Sequence, residues 1–513
     1  MTERKITHRF PRSAALIGLL AMPAAQAGYL DDIGYVELQA ALGAETPTGA
    51  GIAVTQVEGS VVPVSDSAFP VYAPDPALFP GKTLHFPLES NNPPGLPAPR
   101  NGPSGHATAV GQIFYGAGDS MAAGIGDVYA YEVNHWLLTA QNTPAGAAAI
   151  PVSRIANHSW VGNGNTAAEN SALLRLVDRQ VAINETIQVV GMNNGAGYSP
   201  LLGSAYNVIT VGRTDGSHDQ GTDAVPGDAI YGEGRTRPDL VAPQPTTSMA
   251  TPVVAAAAAL LVETAHRAPQ LSQGSGVLPG IGPVFNGERS ETVKAALLAG
   301  ADRVTANTST FANLTDYRGP GHQTSNGLDD RFGAGQINIF SSYAIVAGGE
   351  QDSAEDGSTS GSITAAGFDY DGDFGGAAGS NRSATYRFQA GAGLSLSTSL
   401  VWNLKVSNDA ALETTLYNLD LALFDVSADP SSPVAVSKSA EDNSENLWVR
   451  LFDGHTYELR VTTPETTDFS WDYALAWHIG PTATPVPVPA AIWFLASALA
   501  SFGVLVRRTA RKC

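Results

Sequence analysis

From about Gly28 to Ala347, short β-branched runs alternate with longer helical patterns, and few folds accommodate such an alternation. The runs Gly51 to Val57, Arg154 to Ser159, Ile187 to Gly191 and Val208 to Gly212 read as buried strands. Between them, Thr166 to Val181 sets Leu173, Leu174, Val177 and Val181 on one helical face. Met249 to His266 is an alanine-rich helix with little room for polar contacts. Strands alternating with helices imply an α/β unit, residues 28–347, whose mostly parallel sheet is covered on both faces. Near its end Ser290 caps a helix over Glu291 to Ala299, ahead of Gly300. Residues 348–382 then turn Gly-, Ser- and Asp-rich and read as a linker. Residues 383–480 carry the runs LSLSTSLVWNLKV, LYNLDLALFDV and TYELRVTT between turn residues, which predicts a C-terminal antiparallel β-sandwich.

The chain has 513 residues, enough for two or three folded units, and its formal charge of -20 argues against nucleic acid as a partner, because tracking phosphates needs clustered cations. Its first 27 residues set Arg4, Lys5, Arg9 and Arg12 before an apolar run that ends in Ala25-Gln26-Ala27, the layout of a secretory signal peptide cleaved after Ala27. At the other end a Pro-rich spacer, 481–489, leads into the uncharged run Ala490 to Val506 and then Arg507, Arg508, Arg511 and Lys512. A short apolar helix followed by cations is a membrane stop that leaves the globular part on the far side of the inner membrane. The pattern Val-Pro-Val-Pro-Ala-Ala-Ile-Trp493 resembles the C-terminal sorting signals of Gram-negative exosortases. That resemblance implies signal peptidase and an exosortase-type enzyme as partners, a transient anchor over 490–506 with its basic tail 507–513, and a mature protein in the envelope or outside the cell. A permanent single-span anchor fits the same hydropathy. The one cysteine, Cys513, lies beyond the basic stop, so an intramolecular disulfide and a thiol nucleophile in the globular part are both excluded.

The segment Arg237-Pro-Asp-Leu-Val-Ala-Pro243, followed by Thr247-Ser248-Met-Ala-Thr-Pro252 and an apolar helix, carries the strongest chemical signal. A serine at the start of a buried helix has a free backbone N–H and the positive end of the helix dipole, both suited to a developing oxyanion. Pro252 falls in the first turn, where it costs little. A plain N-cap role for Ser248 is the alternative. The segment resembles the nucleophile motif of subtilisin-like serine peptidases, with Thr246 where a glycine is usual.

The resemblance extends to three more motifs in the same chain order. Ser104-Gly-His106-Ala-Thr-Ala-Val-Gly111 is similar to the family's histidine-bearing helix start, which implies His106 as general base. Gly49-Ala-Gly-Ile-Ala-Val-Thr-Gln-Val-Glu58 matches the strand that ends in the orienting acid, so that Glu58 stands where aspartate is usual. A triad lost through that exchange, leaving a catalytically silent envelope protein with a binding or scaffolding role, is the rival reading. Gln188-Val-Val-Gly-Met-Asn193-Asn194-Gly195 is similar to the oxyanion segment, with Asn193 matching by its distance from Gly195 and Asn194 as second choice. Ser159, Trp160 and Val161 fall on the family's substrate-pairing strand, although Trp160 reads equally as a core residue.

The resemblance covers roughly Gly49 to Asn338 and implies a subtilisin-like fold and an endopeptidase that cleaves polypeptide substrates through an acyl-enzyme, with no cofactor. His106 and Asn193 argue against a sedolisin, and the lack of a Gly-x-Ser-x-Gly elbow argues against an α/β-hydrolase. The short interval between Ala27 and Gly49 implies no folded inhibitory propeptide. Structural calcium is compatible with the family, but Asp369-Tyr-Asp-Gly-Asp373 lacks the spacing of a calcium loop and reads as a solvated turn, so no metal ligand is assigned.

Overall fold

The computed structural model describes residues 27–60, 70–89, 101–143, 145–195, 201–319, 321–356 and 361–481. The signal segment before Ala27, the Pro-rich spacer after Pro481, the apolar run 490–506 and the basic tail lie outside the described residues. Seven parallel strands form the central sheet: β1 (Val54–Glu58), β2 (Thr83–His85), β3 (Asp127–Glu132), β4 (Ile155–His158), β5 (Ile187–Gly191), β6 (Ile209–Arg213) and β7 (Leu240–Ala242), in the order β2-β3-β1-β4-β5-β6-β7. Side chains alternate across it as the strand period requires, so that Val189 joins the core on one face and Val190 the core on the other.

One face is covered by α1 (Ala27–Asp32), α2 (Tyr35–Leu42), α3 (Gly105–Tyr115), α6 (Thr247–Arg267), α7 (Ser290–Ala299) and α8 (Ile339–Ala347). The opposite face carries α4 (Val133–Thr139) and α5 (Ala167–Asn184). The α/β architecture with helices on both faces is therefore as the sequence implied. The α6 helix is long and apolar enough to cross a membrane, but it is packed as a core helix. Near its end the buried Glu263 accepts hydrogen bonds from the backbone N–H groups of Thr48 (2.7 Å), Gly49 and Ala50 (3.2 Å), which ties the chain entering β1 to α6. Gly49 makes that entry feasible: its φ is 78°, and a Cβ there would lie 2.7 Å from Ile125.

After a small hairpin, β8 (Ser275–Leu278) with β9 (Gly282–Phe285), the chain builds two antiparallel sheets. One contains β10 (Ala354–Glu355), β12 (Ser383–Gln389), β16 (Asp420–Asp425), β17 (Pro433–Ser437) and β19 (Thr456–Thr462). The other contains β11 (Ala366–Phe374), β13 (Leu394–Val401), β18 (Ser444–Arg450) and β20 (Trp471–Pro481), and a short ribbon pairs β14 (Lys405–Val406) with β15 (Thr414–Thr415). Trp402, Trp477, Tyr386 and Phe374 fill the core between them. The α/β and antiparallel parts pack as one compact unit, with α7 lying on β13 and β20.

Three sequence expectations are corrected. The stretch read as a linker carries β10 and β11, two strands of the antiparallel part, because Gly- and Asp-rich composition hides a strand whose buried members are Phe368, Asp369, Asp371 and Phe374. The supposed solvated turn Asp369–Asp373 lies within that strand, where Tyr386 donates to Asp369 (2.8 Å) and Asn381 to Asp371 (3.0 Å). Ser290 does not cap α7: it is the helix's first residue, and its N–H and hydroxyl both reach Glu185 at 2.9 Å.

Candidate active site

The carboxyl ends of neighbouring strands in an open parallel sheet form a natural crevice. Here β1, β4 and β5 end side by side, with Val57 opposite His158 and Asn157 opposite Val189. Glu58 is the last residue of β1 and is buried. Facing it, α3 starts from Ser104, whose hydroxyl caps the helix by accepting from Ala107 N–H (3.2 Å), and His106 is the second helical residue. His106 Nδ1 lies 2.8 Å from Glu58 Oε2, and its side chain is 32% exposed against 3% for the acid. Burial pulls the His106 pKa down, but the charge of Glu58 and the hydrogen bond to it prevail, leaving the imidazole above its ordinary value.

Ser248 comes from the start of α6. The cap there is Thr246, which accepts from Met249 N–H at 3.3 Å, so the hydroxyl of Ser248 is not spent on capping. Thr247 N–H is taken by Asn194 Oδ1 (2.8 Å), whereas Ser248 N–H, in the first turn, has no intrahelical acceptor. Pro252 falls in the second turn of α6 rather than in the first, because the helix begins at Thr247. Lacking an N–H, it leaves the carbonyl of Ser248, four residues back, without its helical donor. Ser159 fills the gap, donating its hydroxyl to that carbonyl at 2.8 Å. The backbone of Ser248 is thereby pinned to the residue that follows β4.

Packing of α3 against α6 brings His106 and Ser248 to the same edge of the sheet. No hydrogen bond joins the Ser248 hydroxyl to His106 among the described residues; such contacts commonly tighten only when substrate binds. The two asparagines divide their roles. Asn193 turns its amide onto the carbonyl of Gly195 (3.2 Å), while Asn194 is exposed and anchored by its oxygen at the start of α6, with its NH₂ left as a donor.

Of the residues expected along the substrate strand, Ser159 is buried and supports Ser248, and Val161 is 40% exposed. Trp160 is half-buried; its indole N–H donates to His158 Nδ1 (3.3 Å), and its ring packs on the core over α4 and α5. Nε2 of His158 is 2.7 Å from Gln188 Oε1, so the ring carries its proton there. Burial holds that ring neutral, lowering its pKa to about 4 against the opposing bond to Gln188. Residues 159–161 run past the end of β4 and pair with no strand among the described residues.

Two residues of this site escaped the sequence reading. Gln56 is fully buried on β1, donating to Glu58 Oε1 (2.8 Å) and to the carbonyl of Ala107 (2.8 Å), and Tyr115 donates its hydroxyl to Gln56 Oε1 (2.6 Å). A carboxamide two residues before the acid, on the same face of a β-branched strand, was the available signal. Away from this edge, Glu185, Glu291 and Asp472 gather where α5 and α7 meet β20, each offering a carboxylate oxygen within 4.8 Å of the others.

No family model and no curated protein matches the chain. Among solved structures it is similar to the patellamide maturation protease PatA (18% identity, 59% of this chain and 98% of that one, TM-score 0.34) and to the prenylagaramide maturation protease PagA (18% identity, 57% and 92%, TM-score 0.31). A serine protease of Aeromonas sobria aligns over 84% of this chain and 89% of its own, at 14% identity and TM-score 0.32. At such identities and TM-scores it is the site's own geometry that speaks to function.

Proposed function

We propose that this chain is an exported serine endopeptidase of the subtilisin type, in which Ser248 attacks, His106 moves the proton and Glu58 orients the histidine. The observation that carries the reading is the 2.8 Å bond between Glu58 and His106 Nδ1 at the sheet edge where α6 presents an uncapped Ser248. A serine hydroxyl needs a base to take its proton as it attacks a carbonyl, and His106 Nε2 is the ring nitrogen left for that task. The imidazolium that forms is stabilised by Glu58, which accepts its Nδ1–H. The tetrahedral oxygen then meets Ser248 N–H and an asparagine amide, and the anchored Asn194 suits that role better than Asn193. His106 returns the proton to the leaving amine, and water, activated by the same base, releases the acyl group from Ser248. A triad lost through the aspartate-to-glutamate exchange would leave His106 without its partner, and the close pair argues against that silent reading.

The substrate is an extended polypeptide running beside residues 159–161, and no cofactor enters the scheme. Export rests on the N-terminal signal layout, and envelope sorting on the Pro-rich spacer, apolar run and terminal cations. Hydrolysis of an unfolded protein substrate by the purified chain, lost in Ser248→Ala, tests the activity. Mass spectrometry of the mature C-terminus in an exosortase-bearing host tests the sorting: intact Trp493 to Lys512 in the mature protein rejects processing.

A further inference from the structure

The triad's acid is held by a buried relay that continues past it. Gln56 and Glu58 point to the same face of β1, two residues apart, and Gln56 sits between the acid and the helix that carries His106. Every polar group of the Gln56 carboxamide is engaged: one Nε2 hydrogen on Glu58 Oε1, the other on the Ala107 carbonyl, and Oε1 accepting from Tyr115. A fully buried amide is costly unless all its groups are bonded, and a strand position of this kind would otherwise take an apolar residue. Glu58 and the Ala107 carbonyl decide which way the amide faces, because both can only accept, so both take Nε2 hydrogens and Oε1 is left to accept from Tyr115. Burial and the charge of Glu58 raise the Tyr115 pKa far above the ordinary phenol range, so that hydroxyl remains a donor. Room for the ring comes from Gly111, where a Cβ would lie 2.6 Å from the Tyr115 hydroxyl oxygen and 2.9 Å from Phe79.

We infer that Gln56 and Tyr115 are positioning residues of the triad, which fix the longer side chain of Glu58 so that its second oxygen meets His106. Glutamate has one more rotatable bond than aspartate, and a single bond to the histidine leaves that torsion free. Gln56 supplies the second anchor, on the other oxygen, and ties the same amide to the backbone of α3, so acid and base are set by one group.

This inference rests on the proposed peptidase reading, and the test separates the two. Gln56→Leu is expected to lower kcat about 10–100-fold with KM unchanged, by analogy with the loss of a hydrogen-bond partner that orients a metal-bound histidine. Tyr115→Phe is expected to act in the same direction by a few-fold, and it serves if Gln56→Leu does not fold. In both variants the His106 pKa, followed by NMR titration, falls toward that of Glu58→Gln, a readout that needs no turnover. Placed in a Glu58→Gln background, neither substitution should lower kcat further. If the wild-type chain hydrolyses nothing while the His106 titration shifts as expected, the peptidase reading fails and the relay stands. An unchanged His106 titration in a folded Gln56→Leu or Tyr115→Phe variant overturns the relay, as does an equal loss of kcat with and without Glu58.

Discussion

Two groups of carboxylates, buried or nearly so, are provided for very differently in this molecule. Glu58 is a single acid with a donor on each oxygen, Gln56 on one and His106 on the other. At the seam between α7 and β20, three acids share one guanidinium and a few polar hydrogens. Arg289 reaches Glu185 at 2.7 Å, and the single hydroxyl hydrogen of Ser290 faces oxygens of both Glu185 and Glu291 at 2.9 Å. Tyr370 donates to Asp472 Oδ2 at 2.5 Å, while Oδ1 is shut off from solvent and accepts nothing. Desolvation, followed by the charges of Glu185 and Asp472, raises Glu291 well above the carboxylate range. Desolvation, with Glu185 next, lifts Asp472 to about 6. The difference teaches that burial alone does not make a carboxylate useful: donors matched to its oxygens aim it, whereas desolvation among crowded like charges makes the fold sensitive to pH.

The contrast breaks first at the edge that carries the proposed triad. Ser248→Ala and His106→Ala are each expected to abolish amide hydrolysis, by about 10⁶ in kcat as in the subtilisin case, with the thermal unfolding midpoint nearly unchanged. Glu58→Gln should lower kcat by up to about 10⁴ and leave KM alone, because the carboxylate acts on an imidazolium present only in the transition state. The same change removes the charge that raises His106. The base must be neutral to work, so the acid limb of the kcat/KM profile moves to lower pH in Glu58→Gln. Glu58→Asp should be milder in both respects.

At the seam the expected effect is on stability and runs the other way. A carboxyl group whose pKa is higher in the folded than in the unfolded chain binds more protons when folded, so stability falls as pH rises from the unfolded value through the folded one. Asp472, near 6, places that fall at the seam above about pH 4, and elsewhere Asp369, pushed up to about 8 by burial, and Glu445, pushed up to about 9 by burial, extend it to higher pH. Asp472→Asn should therefore stabilise the chain by roughly 1–3 kcal/mol at about pH 8 and by little near pH 4, as measured by denaturant unfolding. Equal effects at both pH values would show that the seam does not titrate. The smallest expected change is Ser159→Ala, about 1 kcal/mol, because it removes one hydroxyl donor from the carbonyl that Pro252 leaves open.

The parts legible in the sequence are those whose signal is local. Ile187 to Gly191 matches β5 residue for residue, and the other three runs read in the central sheet shift by one to three positions against β1, β4 and β6, since a β-branched run announces a buried strand but not its ends, while β2 and β3 went unread. The Glu58–His106 pair was legible through motifs, each of which sits where a strand or helix end fixes its side chain. What lay beyond reading depends on distant partners. Asn194 rather than Asn193 touches the start of α6, and nothing in the Asn-Asn-Gly turn says which amide faces a helix fifty residues later. The seam joins Glu185 to Asp472 across more than half of the chain, and β11 carries acids in a strand because Tyr386 and Asn381, from another strand and a turn, bond to them.

Reaction of the folded, full-length chain with a fluorophosphonate probe, with the labelled residue located by peptide mass spectrometry, tests the central claim most directly. The arrangement of Glu58, His106 and the uncapped Ser248 predicts stoichiometric labelling at Ser248, suppressed in His106→Ala. A folded protein that remains unlabelled, or is labelled at another serine, contradicts it.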